Sequence, residues 1–428
     1  MKFQPTMHKL SNGVTVILDP MDVATDDVCI CFRTGGFDEK PDEYGITHFC
    51  EHMFCKGTSR FPTSRIAKDY IANSGGDINA YTSPKYLRFV GRIISENLML
   101  LMDFLADRIK NSLFDKDVLE NERGPVLDEL RRSLSNNDAK RWTFTNKEVL
   151  GLNIPNGRVT LGNPENIKRF TREDLLDFVA RRISAKNCLI CISGKIDNQA
   201  DLLKRLEELF NFLPSNDVTN VRPLKYTPRV IHNYMPDTKN VVLEILFPLL
   251  WPNDMAYQYN NMCVGKFNRY LYERLFDVLR SDNGLTYGVR VGVAYGDGKT
   301  DLEAISTETA PEHVADMMAL IAKTAYKVYT DDLPSEAKLK QYRNQNKLLR
   351  ADFLERNTKR CDALWLDWGE YGVLTDIYKD WEMSDSVTAE DVKKYTRGKF
   401  DGPMSIVTHG PNFDADLEQI WRDNFKAE

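Results

Sequence analysis

Two histidines four residues apart, with a glutamate directly before the second, are the strongest chemical signal in this sequence. His48, Glu51 and His52 lie in the segment GITHFCEHMFCKGT, residues 45–58, of a chain that contains six histidines in 428 residues. On a helix this spacing places both imidazoles on one face, where they can bind one metal ion. Glu51 projects near the same face and can reach a water molecule at the metal. The order His-x-x-Glu-His therefore predicts a hydrolytic zinc site.

A catalytic zinc site needs a third protein ligand and an open position for water. The segment VLENERGPVLDELRRSL, which begins at Val118, is predicted to be helical and carries four candidate carboxylates: Glu120, Glu122, Asp128 and Glu129. Glu122 and Glu129 are two helical turns apart and share a face. One of them can bind the metal while the other supports a ligand by hydrogen bonding, and the spacing leaves the two roles open.

Cysteines near the motif give an alternative ligand set, because Cys50 and Cys55 lie within reach of the histidines. A thiolate in addition to two histidines and a carboxylate would close the water position, so we interpret both as buried or partly buried thiols. Cys188 and Cys191 have a CxxC spacing, but they lie in an apolar strand with no second pair. Few cysteines in a chain of this length are typical of reduced thiols, and we expect a cytoplasmic location.

The elements that must position these residues follow from the hydrophobic pattern. Strands come first and long helices later, which favours an α+β fold. We expect strands near 14–18 and 28–33, two more within 75–94, and helices over 44–56, 63–74, 96–110 and 115–134.

The two halves of the chain resemble each other. Thr171 and Thr388 each begin a short amphipathic helix with an acidic residue nearby, and each helix is followed by an apolar strand that ends in glycine. A second pair of similar segments begins at Ser95 and Pro311. We therefore predict two homologous mixed α/β domains from an internal duplication, with antiparallel-rich sheets covered by helices. The predicted boundaries are 1–213 for the zinc-bearing domain, 214–227 for the linker and 228–428 for the second domain.

Residues 45–58 resemble the metal-binding segment of the pitrilysin-type (M16) zinc metallopeptidases, which include insulin-degrading enzyme and the mitochondrial processing peptidase. Four further segments are similar to that family: LSNGVTVILDP, RTGGFDEKPDEYGITH, GGDINAYTS and ENERGPVLDEL. The resemblance implies the short, two-domain, dimer-forming branch and one Zn²⁺ per chain. It also implies that Glu129 is the third ligand, that Glu122 supports a ligand by hydrogen bonding, and that Glu51 activates a zinc-bound water.

The substrate-binding residues also come from the resemblance. LFDVLRSDNGLTYGVR is similar to the family's Arg/Tyr pair, so Arg280 and Tyr287 are expected to bind the substrate and stabilise the reaction intermediate. Asn79, Ala80 and Tyr81 correspond to the family's substrate-binding edge strand, to which an extended peptide can add through main-chain hydrogen bonds.

We therefore expect a zinc endopeptidase that hydrolyses short or unfolded polypeptides in a closed chamber. Because one chain carries both the zinc motif and the Arg/Tyr pair, a homodimer can complete its own sites, whereas a heterodimer with a sister subunit is the alternative. Two other functions stay open, namely a maturation protease dedicated to one precursor peptide and a non-catalytic docking homologue.

Composition excludes two classes of partner. The net charge is −6 and the pI is about 5.7, which gives no basis for nucleic-acid binding. No window approaches the ~18 apolar residues of a membrane-spanning helix, so no membrane partner is expected.

Overall fold

A computed structural model describes residues 2–151, 160–219, 224–296 and 300–426. The chain divides into two compact units. Unit 1 contains Met1–Thr143, Ile154–Pro223 and Leu348–Leu374, and unit 2 contains Phe144–Asn153, Leu224–Lys347 and Thr375–Glu428. Each unit thus includes a segment from the other half of the sequence. The division at 214–227 did not anticipate this exchange and stays a prediction about the domains; residues 220–223 of that linker lie outside the described residues.

The described residues form strands and helices with the following bounds. The strands are β1 Thr6–Lys9, β2 Thr15–Pro20, β3 Thr25–Phe32, β4 Gly76–Thr82, β5 Leu87–Ile94, β6 Cys188–Gly194, β7 Val230–Tyr234, β8 Val241–Pro248, β9 Val289–Tyr295, β10 Leu302–Thr309 and β11 Ser405–Gly410. The helices are α1 Ile46–Phe54, α2 Ser64–Asn73, α3 Leu98–Asn111, α4 Lys116–Ser135, α5 Asn137–Leu150, α6 Pro164–Arg169, α7 Arg172–Arg182, α8 Gln199–Phe210, α9 Gln258–Phe276, α10 Val314–Thr330, α11 Glu336–Glu355, α12 Asn357–Tyr371, α13 Ile377–Ser386, α14 Ala389–Thr396 and α15 Leu417–Asn424.

Unit 1 is built on a six-stranded sheet in the order β1-β2-β6-β3-β5-β4. Only the β2–β6 pair is parallel among these strands. Alternate residues of β3, such as Val28 and Ile30, belong to the main hydrophobic core together with Phe49 and Met53 of α1. The sheet therefore provides the apolar surface against which the motif helix packs.

The opposite face of this sheet is covered by α12, the helix that unit 1 takes from the second half of the sequence. Cys191 of β6 and Cys361 of α12 have their sulfur atoms 3.7 Å apart in the interior. Arg360 forms an ion pair with Asp19 of β2, and both side chains are fully buried. Covering both faces explains why β3 and β6 read as continuous apolar runs rather than as alternating strands.

Unit 2 repeats the arrangement with a five-stranded sheet in the order β7-β11-β8-β10-β9. The segment that unit 2 takes from the first half of the sequence contributes a polar contact to this sheet. Thr145 of α5 donates a hydrogen bond to Glu244 of β8 at 3.0 Å. Glu244 also accepts from Tyr295 at 2.7 Å and lies 3.2 Å from the buried His409 of β11.

The duplication is visible in matching elements. Thr171 and Thr388 both cap their helices by accepting from the backbone of an aspartate three residues later, and that aspartate bonds back to the threonine. The strands that follow, β6 and β11, both end in glycine. The predicted α+β class with two related mixed sheets is confirmed. None of the described helices combines the length and the apolar character that crossing a membrane requires.

Candidate metal centre

The motif helix α1 is preceded by a position that accommodates only glycine. Gly45 has a φ of 97°, and a Cβ atom at this position would lie 2.9 Å from the carbonyl oxygen of Leu161. The buried carboxyl of Glu39 accepts hydrogen bonds from the backbone of Gly45 and Thr47, both at 2.8 Å. These bonds satisfy donors in the first turn and fix the start of the helix, which sets the rotation of its histidines.

The side chains of α1 and α4 bring three potential ligand atoms together. His48 Nε2 lies 3.2 Å from His52 Nε2, and Glu129 Oε2 lies 3.6 Å from the first and 3.5 Å from the second. Tetrahedral zinc with bonds of 2.0–2.1 Å requires ligand atoms about 3.3–3.4 Å apart, so this set fits one zinc ion. Within the described ranges it is the one group of His, Cys, Asp and Glu arranged to hold a metal.

Burial keeps His48 neutral, and a carboxylate orients His52. Nδ1 of His52 lies 2.7 Å from Glu122 Oε1, which leaves Nε2 to face the other two ligand atoms. Glu122 also pairs with Lys56. Burial and the neighbouring His52 lower the pKa of His48 to about 3, so its imidazole is neutral near pH 7. Nδ1 of His48 is buried and has no hydrogen-bond partner in the part of the chain that the structure describes.

Glu51 lies on the same helix, held by a strand residue. Thr82 Oγ1 of β4 donates to Glu51 Oε2 at 2.7 Å. Burial raises the pKa of Glu51, while the Thr82 hydrogen bond and the neighbouring His52 act in the opposite direction. A carboxyl with a raised pKa is better matched to proton transfer near neutral pH than an exposed one.

The residues predicted to bind substrate lie on β4, the edge strand of the unit 1 sheet. Asn79 and Tyr81 are exposed, and Ala80 between them is buried on the opposite face. The backbone N–H of Ala80 donates to Asn79 Oδ1 at 2.9 Å, and Asn79 Nδ2 donates to the Tyr81 hydroxyl at 2.9 Å. These residues lie on an edge strand, and their role in substrate binding stays a prediction.

Arg280 and Tyr287 belong to unit 2. Arg280 lies in a π-helical turn, Asp277–Asp282, at the end of α9, a distortion that is frequent at functional sites. Its guanidinium carbon lies 4.6 Å from the centre of the Tyr287 ring. The tyrosine side chain is 81% exposed. The structure thus brings this pair together, and the pair presents its polar groups to solvent.

Several residues at the site were not found by sequence reasoning. Thr82, Lys56 and Glu39 contact Glu51, Glu122 and the start of α1, but a single threonine, lysine or glutamate has no distinctive spacing. For Glu39, the only signal is that carboxylates are stabilised near the start of a helix. For Thr82, only the path of β4 past α1 places the hydroxyl at the carboxylate.

Comparison with known proteins agrees with the geometry. The sequence model of the family described as insulinase, peptidase family M16, matches residues 16–147, and that of the peptidase M16 inactive domain matches residues 169–346. The chain belongs to peptidase family M16. An uncharacterized zinc protease of Rickettsia felis is 26% identical over 424 residues, which cover 96% of this chain and 99% of that protein.

Two further relatives extend the comparison. The β subunit of the mitochondrial-processing peptidase of Bos taurus is 26% identical over 418 residues, covering 94% of this chain and 83% of the subunit. A crystal structure named peptidase M16 inactive domain, from Pseudomonas fluorescens, has a TM-score of 0.83 at 17% identity and covers 96% of this chain and all of that chain. The fold is that of the family, and the relatives named zinc proteases and processing peptidases support a zinc metallopeptidase.

Proposed function

We propose that this protein is a zinc-dependent endopeptidase that cleaves short or unfolded polypeptides, with one Zn²⁺ per chain held by His48, His52 and Glu129. The observation that supports this proposal most is the spacing of 3.2–3.6 Å among the three ligand atoms. Glu51 lies on α1, the helix that carries both histidines. Three ligands leave a fourth position of a tetrahedral ion open, which is typical of catalytic rather than structural zinc sites.

The chemistry divides between the ion and the chain. Zinc, when bound, supplies a Lewis acid that polarises the scissile carbonyl and acidifies a water molecule. Glu51 accepts the proton of the attacking water and passes it to the departing amine. Thr82 holds one oxygen of Glu51, which leaves the other for the proton. Glu122 keeps the Nδ1 proton of His52 in place and so directs Nε2 toward the metal position.

Substrate binding at β4 follows from its position at the edge of the sheet. An extended peptide that adds to this strand is held mainly through its backbone, so its sequence matters less than its ability to extend. The carbonyl of the peptide displaces Asn79 Oδ1 from the N–H of Ala80. This mode favours unfolded segments and excludes folded proteins as substrates.

Arg280 and Tyr287 complete the site in the proposal, each donating to the substrate or to the oxyanion of the tetrahedral intermediate. Because both side chains are exposed on unit 2, they are available to contact a substrate bound to another subunit. We propose that they act from the second subunit of a homodimer that encloses a chamber. The buried, unpaired state of most of the chain's cysteines supports a reducing, cytoplasmic location.

The decisive experiment compares zinc content and cleavage of a quenched peptide library by the wild-type protein and Glu51→Gln. We expect the variant to keep its zinc and to lose about 10²–10⁴-fold in turnover, because only the proton acceptor is removed. Glu120→Gln is the matched control, since Glu120 is an exposed carboxylate on α4 that pairs with Arg123. Unchanged turnover in Glu51→Gln would show that Glu51 is not the general base.

Two alternatives are separated by the same library. Cleavage of a single member by the wild-type protein would identify a maturation protease dedicated to one precursor. Absence of any chelator-sensitive cleavage would favour a non-catalytic homologue.

A further inference from the structure

A cavity of about 270 Å³ lies beside the metal centre in unit 1. Its lining includes Glu51 and His52 and residues of the edge strand β4. A third part of the wall is basic and consists of Lys56 on the end of the motif helix, Lys68 of α2 and Arg108 of α3. The proposed mechanism gives none of these basic residues a direct contact with the substrate.

Arg108 is the unusual member of this basic wall. It is only 6% exposed, yet no carboxylate in the described part of the chain lies within ion-pair distance of its guanidinium. Its two side-chain contacts are Cys55 Sγ, 3.8 Å from Nη1, and the ring of Phe104, 4.8 Å from Cζ. Burying a guanidinium without an anion is costly, and buried arginines in proteins are normally paired.

The other charges around the cavity do not neutralise Arg108. Lys56 and Glu122 form an ion pair, and Glu51, which is held by Thr82, forms no ion pair with Arg108. Lys68 is exposed at the rim and adds a second positive charge. The guanidinium carbon lies over the Phe104 ring, which gives the charged end a cation–π contact but supplies no anion.

The edge strand determines which part of a peptide enters the cavity. Ile78, Asn79 and Ala80 of β4 line the cavity, and Ile78 and Ala80 project from one face of the strand while Asn79 projects from the other. In an added strand, alternate side chains project to the same two faces. One side chain of a bound peptide is therefore directed into the basic cavity, close to Glu51 and the cleaved bond.

We propose that this cavity is a specificity pocket that takes an acidic side chain, aspartate or glutamate, of the substrate residue beside the cleaved bond. The inference rests on the proposed peptidase function and names the substrate class of that site. The carboxylate of the substrate supplies the anion that Arg108 lacks, and Lys68 at the rim attracts it during binding.

The test uses quenched peptides that are identical except at one position, where Glu is compared with isosteric Gln. The position is moved in turn through the residues that flank the cleaved bond. For the zinc-loaded wild-type protein, we expect kcat/KM for the Glu peptide to exceed that for the Gln peptide by about 10- to 100-fold at one position. In Arg108→Met we expect this Glu/Gln ratio to fall to about 1, and in Arg108→Lys to stay above 1.

Lys110→Met is the matched control, because Lys110 is an exposed cation on the same helix that faces Phe212 instead of the cavity. We expect it to keep the wild-type ratio. Should Arg108→Met not fold, as judged by circular dichroism and zinc content, the exposed Lys68→Glu replaces it and should lower the ratio several-fold. A wild-type ratio near 1 at every position, or a ratio that persists in the folded variants, overturns the proposal.

Failure of the peptidase function gives a different result. If the wild-type protein cleaves no peptide, binding of the uncleaved peptides to Glu51→Gln is measured by fluorescence anisotropy. Equal affinities for Glu and Gln peptides overturn the pocket, whereas a Glu preference that disappears in Glu51→Gln/Arg108→Met supports it without catalysis.

Discussion

The two units have related sheets, but they use their interior polar residues in different ways. In unit 1, α1 and α4 bring together His48, His52 and Glu129, and the Glu129 side chain stays 42% exposed. In the second half of the sequence, α9 and α11 hold the corresponding places in the element order and contain no histidine. There, Glu303 of β10 is buried against Lys399 and accepts from Asn268 at 2.6 Å.

In this duplicated fold, one unit carries a buried ion pair that stabilises its interior, and the other carries the candidate metal ligands. A buried Lys–Glu pair neutralises itself and leaves little for a ligand to do. In unit 1, the guanidinium of Arg108 is buried without a carboxylate partner among the described residues and lines the cavity beside the metal centre. Because burying an unpaired charge is costly, this position is a candidate site for an anionic ligand.

We expect the largest effect from removing one of the candidate zinc ligands of unit 1. Glu129→Gln on α4 should abolish stoichiometric zinc binding and lower peptidase activity by on the order of 10³-fold or more, because an amide is a poor zinc ligand. The measurement is zinc content after dialysis together with turnover. Glu355→Gln, at the end of the corresponding helix α11, is the control and should keep both. Full zinc in Glu129→Gln would show that another group is the third ligand.

Buried ion pairs test whether the exchanged helix α12 is integral to unit 1. Removing one partner of such a pair leaves an uncompensated charge, so Arg360→Met should reduce the free energy of unfolding by about 3–5 kcal/mol. Asp19→Asn/Arg360→Met should recover much of this loss, because both charges are gone. Denaturant unfolding measures both variants. A loss below about 1 kcal/mol in the single variant would contradict the pairing of α12 with β2.

The exposed pair of unit 2 is tested by mixing variants. Tyr287→Phe should lower kcat by about 10²–10³-fold through loss of one donor to the oxyanion. In trans completion, a mixed dimer of Glu51→Gln and Tyr287→Phe chains restores one intact site. Random exchange of subunits then recovers about a quarter of wild-type activity. Activity that does not rise above that of the separate variants would rule out completion in trans.

The final prediction concerns the pH dependence that a buried carboxyl of unit 1 contributes. Burial raises the pKa of Glu39 from 4.5 to about 8, so the folded protein holds this proton at pH values where the unfolded chain has released it. The stabilisation from protonated Glu39 is complete below about pH 4.5 and is lost as the pH rises toward 8. Glu39→Gln should remove a slope of about 1.4 kcal/mol per pH unit from the unfolding free energy in this window. Identical slopes in the two proteins would contradict the assignment.

Much of the site was predictable because its ligands are close in sequence or lie on one helix. His48, Glu51 and His52 need only a helix over α1, and Glu122 and Glu129 need only a helix over α4. Helical periodicity depends only on residues that are near in sequence, so the spacing of these residues predicts which of them share a face. The α+β class followed equally from the order of strands and helices and from the repeated segments that begin near Thr171 and Thr388.

The sequence alone thus indicated which side chains are candidates for binding zinc and for moving a proton, and that the fold is duplicated. The tertiary structure decided that Glu129 rather than Glu122 faces both histidines, that α12 packs on the sheet of unit 1, and that Arg108 lines a cavity beside Glu51. These facts depend on how separate elements approach each other. Such distances are set by packing over the whole core, and no spacing along the chain contains them.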